Sequence, residues 1–431
     1  MYCKFEIAEK HKMKFARLVS TISHAPVLSI PAFVAINYFL LDFDEFLRIS
    51  FICVLFAAIL PIVAVLVWSI KFKKVDIDVP EKEDRIYPLI IVIVTYFIGS
   101  IILYVLNAPP LTTLLMFCYC SNTLVVFFIN IFWKISIHSM GVAGPTTALI
   151  FAFGPIGSIF GLIIPIVMWS RVYLKRHTMS QVISGALLGF MLTAIQIYVG
   201  FSIYNINIDI YPVMLLMYAF IAPSIVLSIT GFLNRKGMHD GYTRKIFHFI
   251  GFVSIAVFLR YAPFDATIMF IIVGIIYVGI ACISSNGFLW FDGISRKSDS
   301  PNEILYVILP MASAILGLGV SWMAFGHPFV ETGMLCVAIG DAVAEPIGVR
   351  FGKHKYKVYS LTGYPTERSL EGSLSVLLSC AAIIFFAINN LILALLLGIL
   401  ISLIEAISPR GLDNFTVLIG TSLGLAMIGT I

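Results

Sequence analysis

GDAVAEPIGVRFGKHKYKVYSLTGYPTERSLEGS (340–373) sets a charged, glycine-bearing segment inside a chain that is apolar nearly everywhere else. Its first residues close a hydrophobic run over 330–346, and Asp341 and Glu345 lie inside that run. Four residues apart, the two carboxylates share one face of a helix about a turn apart. Ionisable side chains within a membrane span are costly and mark candidate functional positions. The reading of 340–373 therefore depends on whether the run is a membrane span.

The whole chain answers that question. Of its 431 residues 60% are hydrophobic and only 12% charged, which lies outside the composition of soluble globular domains. Apolar runs of membrane-crossing length recur throughout, and about 20 helical residues cross a hydrocarbon core of about 30 Å. The sequence predicts an all-α, polytopic membrane protein with roughly 15 transmembrane helices in two bundles. They begin with 17–40 and 47–70, include 139–153 and 156–170 as separate spans, and end with 390–405 and 415–431. The first run follows a basic segment and lacks a small-residue cleavage site, so it reads as a retained span rather than a signal peptide.

Lys and Arg in short loops stay on the cytoplasmic side of a membrane. With the N-terminus inside, alternation places 71–86, 134–138, 171–179, 234–245, 285–303, 347–372 and 406–414 on that side. These loops and the N-terminal segment through Arg17 hold 26 of the 28 Lys and Arg residues, leaving Arg48 and Arg260 outside. The expectation is a multi-pass integral membrane protein with a cytosolic N-terminus and cytosolic site loops. The net charge of +5 is then a topology signal and gives no reason to invoke nucleic acid. The seven cysteines are scattered without metal-ligand spacing and read as packing residues. Polar motifs fall into two groups separated by NINIDI (205–210), which predicts domains over 1–205 and 206–431.

In the C-terminal half four stretches break the apolar pattern: TRKIFHFIGF (243–252), GDAVAEPIGVRFGKHK (340–355), TERSLEGS (366–373) and EAISPRGLDN (405–414). Hard carboxylate oxygens at Asp341 and Glu345 suit Mg²⁺, which takes one or two carboxylates plus substrate phosphates. Pro346 is expected to interrupt the helix, and Gly348 and Gly352 allow backbone to approach an anion. Arg350, Lys353 and Lys355 offer charge to phosphate. Taken singly, the cations read as membrane anchors, the two acids as interhelical glue and His248 as a bundle histidine. Their coincidence with Glu371, Glu405 and Asp413 favours a nucleoside triphosphate site.

Arg244-Lys245-x-x-His248, the 340–355 stretch, Ser369-Leu370-Glu371-Gly372-Ser373, and Glu405 followed by Leu412-Asp413-Asn414 resemble the dolichol kinase and phytol kinase family, relatives of the phosphatidate cytidylyltransferases. The resemblance implies phosphorylation of a long-chain isoprenoid alcohol (dolichol, polyprenol, phytol or geranylgeraniol) by a nucleoside triphosphate, usually CTP, with Mg²⁺. It implies that Asp341, Glu345 and Glu371 hold metal or act on the hydroxyl. Gly340, Gly348, Arg350, Gly352 and Lys353 would meet the triphosphate, with Arg244, Lys245 and His248 on the opposite wall. Ser369, Gly372, Glu405, Asp413 and Asn414 would complete the nucleotide site.

In the N-terminal half, Ser170-Arg171, five residues, then His177, together with Ser136-x-His138, resembles the type 2 phosphatidic acid phosphatase superfamily. That resemblance implies His177 as nucleophile, His138 as acid, and Ser136, Ser170 and Arg171 as phosphate ligands, with Lys82 and Arg85 standing in for the first motif. The superfamily's Asp four residues beyond the nucleophile is Gln181 here, and Ile135 and Ile137 replace its usual Pro and Gly. Either this half is an active lipid-phosphate phosphatase, or it binds lipid phosphate or supports the other half. Two rivals to the kinase remain: a cytidylyltransferase that makes a CDP-lipid, and a secondary transporter, which would show internal repeats and broken helices at mid-membrane.

Overall fold

Hydrocarbon offers backbone N–H and C=O groups no partner, so an apolar chain of this kind buries them in helices. A computed structural model describes residues 2–71, 86–285, 287–359 and 366–429. Lys82 and Arg85 lie outside the described residues. The chain forms two compact units, Met1–Ala222 and Pro223–Ile431; the division falls inside a helix, beyond the 205–210 loop.

The first unit holds α1 (Tyr2–Ile22), α2 (Ala25–Leu40), α3 (Phe43–Val54), α4 (Leu60–Lys71), α5 (Ile86–Val105), α6 (Pro110–Phe132), α7 (Ile137–Phe153), α8 (Ile164–Tyr173) and α9 (Met179–Ile203), and α10 (Tyr211–Arg235) runs out of it. Its core gathers Phe33, Ile36, Tyr96, Leu115, Tyr119, Ile197 and Phe201. Gly154 takes φ +60° at the end of α7, and a 3₁₀ segment over Gly154–Ile163 follows. There the chain doubles back: a Cβ on Gly157 would lie 2.0 Å from the Leu149 carbonyl oxygen, and one on Gly161 would lie 2.8 Å from Thr146. The reversal returns α8 to the end where α7 began, and the Ser136 N–H donates to the Gln181 carbonyl at 3.3 Å. A capping box starts α9: Thr178 Oγ1 accepts from the Gln181 N–H, and Gln181 Oε1 accepts from the Thr178 N–H.

The second unit comprises α11 (Asp240–Tyr261), α12 (Phe264–Ser284), α13 (Leu289–Ile294), α14 (Glu303–Phe325), α15 (His327–Phe351), an antiparallel hairpin of β1 (Lys355–Val358) and β2 (Thr366–Ser369), α16 (Leu370–Ile388), α17 (Leu391–Ile407) and α18 (Asp413–Ile428). α15 packs on α11, α16 and α18 through Phe252, Met334, Val337, Val376, Cys380 and Leu418. Small residues permit the close contacts: a Cβ on Gly333 would lie 2.7 Å from Leu418 and one on Gly398 2.8 Å from Ala381. Such approach drives helix association where the solvent is as apolar as the side chains.

The protein is thus an all-α, multi-pass integral membrane protein. Among the described residues eleven helices are long and apolar enough to cross a bilayer, twelve if Glu9–Ile22 and Ala25–Leu40, bent by 61°, form one span. Two shorter apolar helices, Leu391–Ile407 and Asp413–Ile428, account for the last two predicted spans. The count by length and composition stays below the expected fifteen because it takes Ile137–Tyr173 as a single 37-residue stretch, although the reversal at Gly154–Ile163 sets 139–153 and 156–170 in opposite directions, as two separate runs. Pro346 also departs from expectation. It sits inside α15, which runs on to Phe351; proline removes one intrahelical hydrogen bond, a loss membrane helices tolerate where neighbours pack around them.

Candidate active site

Helical spacing along α15 puts Asp341, Glu345 and Gly348 on one face, and that face closes one side of a cavity of about 650 Å³. Opposite stands α11, which contributes Arg244, Lys245 and His248. Lys245 Nζ bonds Asp341 Oδ1 and lies 3.5 Å from Glu345 Oε2. Glu345 also pairs with Arg296, and a Cβ on Gly241 would come within 2.6 Å of Glu345 Oε1. A side chain at 241 would push the Glu345 carboxylate from this position. His248 Nδ1 lies 3.5 Å from Asp341 Oδ2. Both atoms are buried and lack a hydrogen-bond partner among the described residues.

The far wall comes from the hairpin and the helix ends around it. Arg368, on β2, bridges Glu405 Oε1 at 3.0 Å and Asp413 Oδ2 at 3.1 Å, and also donates to the Glu405 carbonyl. Ser369 caps α16 by accepting the Gly372 N–H at 3.1 Å. Asn414 donates to the Pro310 carbonyl at 3.0 Å and fixes the start of α18 against α14. Burial raises the Tyr356 hydroxyl above its ordinary range, against a 2.7 Å hydrogen bond to Ser373 that lowers it. The cavity lining includes six cations, Arg244, Lys245, Arg296, Lys355, Arg368 and Arg410, and five carboxylates, Asp341, Glu345, Glu367, Glu405 and Asp413. Guanidinium forks and ammonium groups take phosphate oxygens readily, and each of the six is paired here with a carboxylate that a bound polyanion would share or replace.

Most of the residues singled out in the C-terminal sequence meet at this cavity: Arg244, Lys245, His248, Asp341, Glu345, Gly348, Gly352, Ser369, Gly372, Glu405, Asp413 and Asn414. Four do not line it. Arg350 is exposed and its guanidinium lies 5.5 Å from the Phe351 ring; Lys353 is exposed beyond the end of α15. Gly340 faces Cys380 and Val376 in the core. Glu371 bonds His354 Nδ1 at 2.8 Å and the His354 N–H, so the expected trio of Asp341, Glu345 and Glu371 is not gathered. Among the described residues no group of three or more His, Cys, Asp or Glu side chains forms a metal cage. Asp341 and Glu345 carry the hard oxygens that Mg²⁺ takes together with substrate phosphates and water; Lys245 bonds Asp341 Oδ1 and Arg296 bonds Glu345, and Asp341 Oδ2 is left without a hydrogen bond.

Arg296, Arg368 and Arg410 line the cavity where Arg350 and Lys353 do not. Arg368 stands in TERSLEGS beside Glu371 and Arg410 in EAISPRGLDN between Glu405 and Asp413. Arg296 lies in the 285–303 loop, where it carried only a topology signal.

In the first unit a cavity of about 1170 Å³ is lined by Arg17, His24, His138, Lys175, Arg176 and His177 and by apolar groups including Leu89, Val92 and Leu115. The rings of His24 and His138 lie 4.5 Å apart. His177 Nδ1 lies 3.1 Å from Gln181 Oε1, the oxygen of a neutral amide. Ser136, Ser170 and Arg171 are buried behind the cavity rather than lining it. Ser136 Oγ accepts the Ser139 N–H that caps α7, Ser170 donates to the Ala16 carbonyl at 2.7 Å, and Arg171 bonds Ser20. His24, Arg17, Lys175 and Arg176 are additions that the motif spacing did not reveal.

Fold and site together define a multi-pass membrane protein with a cleft built from paired charges where its helices end. The chain is similar to the phytol kinase of Synechocystis sp., at 28% identity over 201 residues, 44% of this chain and 81% of the relative. That similarity relates it, at low identity, to a kinase of prenol type. No family model matches the chain, and no solved structure matches it.

Proposed function

We propose that the second unit transfers the γ-phosphoryl group of a nucleoside triphosphate, CTP as the expected donor, to the hydroxyl of an isoprenoid alcohol at the cytosolic face. The observation that carries the reading is the buried Asp341–His248 pair, with one unbonded carboxylate oxygen, facing a cavity lined by six cations.

Phosphoryl transfer asks a protein mainly for positioning and charge neutralisation. Lys245, Arg296, Arg368 and Arg410 bind the phosphates and compensate their charge. Asp341 Oδ2 accepts the alcohol proton as the alcohol oxygen bonds to the γ-phosphorus and the nucleoside diphosphate leaves. His248 Nδ1 stands 3.5 Å from that oxygen. Asp341 and Glu345 would hold Mg²⁺, which neutralises phosphate charge when bound. The site stands where helices end, so the alcohol reaches it from the bilayer and the nucleotide from water.

Purified protein incubated with Mg²⁺, γ-labelled CTP or ATP, and alcohols from phytol to dolichol tests the reading. Label entering the lipid supports a kinase. Transfer of the cytidine moiety instead identifies a cytidylyltransferase, and no transfer from either nucleotide overturns the assignment.

For the first unit, the imidazole, cation and apolar lining of its cavity supports a second reading, a lipid-phosphate site of the phosphatase type. Hydrolysis of a prenyl phosphate by the protein, lost in His177→Ala, tests it.

A further inference from the structure

Asp299 is the most enclosed carboxylate of the second unit, its side chain 2% exposed, and no motif pointed to it. It stands in a 3₁₀ turn, Lys297–Asp299, within the loop that also carries Arg296. Oδ1 accepts from Arg410 Nη2 at 2.6 Å and Oδ2 from Arg244 Nη1 at 3.4 Å. The two arginines come from elements 166 residues apart in sequence, α11 and the turn before α18. Tyr306 completes the assembly: its carbonyl accepts from Arg244 Nη2 at 2.6 Å, and its ring lies 4.4 Å from the Arg410 guanidinium. Arg244 is enclosed at 7% exposure, whereas Arg410 is 24% exposed and lines the cavity.

We propose that Asp299 is a positioning residue for nucleotide binding, holding Arg410 by one carboxylate oxygen so that its remaining N–H donors face the triphosphate. The inference rests on the kinase reading above. A guanidinium is a planar fork, and a bond on one edge together with an aromatic face on its flank fixes the direction of the other edge. Arg244 occupies the second oxygen and braces the carboxylate. One anion shared by two cations leaves a net positive charge turned toward the cavity. The same loop sends Arg296 to Glu345, so residues 296–299 tie α11, α15 and the turn before α18 to one another.

The test separates positioning from folding by comparing KM with kcat. In Asp299→Asn the nucleotide KM rises about tenfold or more, the scale of a lost charge-assisted hydrogen bond, while kcat and the KM for the alcohol change less than about threefold. Asp299→Glu recovers part of the nucleotide KM. Arg410→Gln raises the nucleotide KM similarly, and the double variant is no worse than the single ones, because both changes remove one interaction. Should Asp299→Asn fail to fold, Arg410→Lys reads the same contact at a more exposed position; it keeps the charge, loses the fork, and also raises the nucleotide KM. An unchanged nucleotide KM in the folded variants, or additive effects in the double variant, overturns the positioning role. A wild-type protein that phosphorylates no alcohol overturns the kinase reading itself and this inference with it.

Discussion

His248 Nδ1 and Asp341 Oδ2 face each other at 3.5 Å across the contact between α11 and α15, both buried and neither hydrogen-bonded among the described residues. Buried polar atoms are nearly always satisfied, and in the proposed reaction a substrate hydroxyl completes the bonding of this pair. Asp341→Asn keeps the size of the side chain and removes its capacity to take a proton. Turnover is expected to fall by about 10²–10⁴-fold while the protein accumulates in membranes, as measured by label transfer and immunoblot. Wild-type turnover in this variant would remove Asp341 from the reaction.

Chelation of divalent cations with EDTA is expected to abolish transfer, and added Mg²⁺ to restore it. Glu345→Gln raises the Mg²⁺ concentration for half-maximal activity by about tenfold. A titration of activity against free Mg²⁺ reads both effects, and an EDTA-resistant wild type would contradict them.

Arg368 compensates two enclosed carboxylates, Glu405 and Asp413. Removing one partner of a buried ion pair leaves an uncompensated charge and costs about 3–5 kcal/mol. Arg368→Gln is therefore expected to lower the thermal unfolding midpoint in detergent clearly, whereas Lys353→Gln, at an exposed position, leaves it within about 1 °C.

Gly352 and Gly348 both line the cavity but tolerate a methyl group differently. A Cβ on Gly352 would lie 2.2 Å from the Gly348 carbonyl oxygen, and one on Gly348 meets only Ser369 Oγ, at 3.0 Å. Gly352→Ala is expected to destabilise the turn into β1 by about 1–3 kcal/mol and to depress activity more than Gly348→Ala. Equal activities would mean that this turn does not shape the site.

In the first unit His177→Ala is expected to leave prenol phosphorylation unchanged and to remove any hydrolysis of prenyl phosphate. Gln181→Asp should raise that hydrolysis, since a carboxylate supports imidazolium charge better than an amide; in a Ser-His-Asp triad the reverse change lowers kcat by about 10⁴-fold. Phosphate release measured for the three proteins decides between a hydrolytic and a binding role.

Much of the cleft was legible in the chain. Asp341 and Glu345 stood out because charge is rare in an apolar run, and Arg244, Lys245, His248, Glu405 and Asp413 lay in stretches that broke the same pattern. Arg350 and Lys353 follow the acids closely in sequence yet do not line the cavity. α15 instead continues through Pro346 to Phe351, and Arg350 ends up exposed. Glu371 likewise sits at the first turn of α16 but turns to His354.

The sequence by itself determined that the protein lives in a membrane, that it is helical throughout its spans, and which segments are polar, because hydrophobic burial in lipid depends on composition and run length alone. Which charges share a cleft was decided only by the tertiary structure. Asp299, Arg410 and Arg244 are distant in the chain and meet because close helix packing and paired charge admit few arrangements in which every buried ion finds its partner.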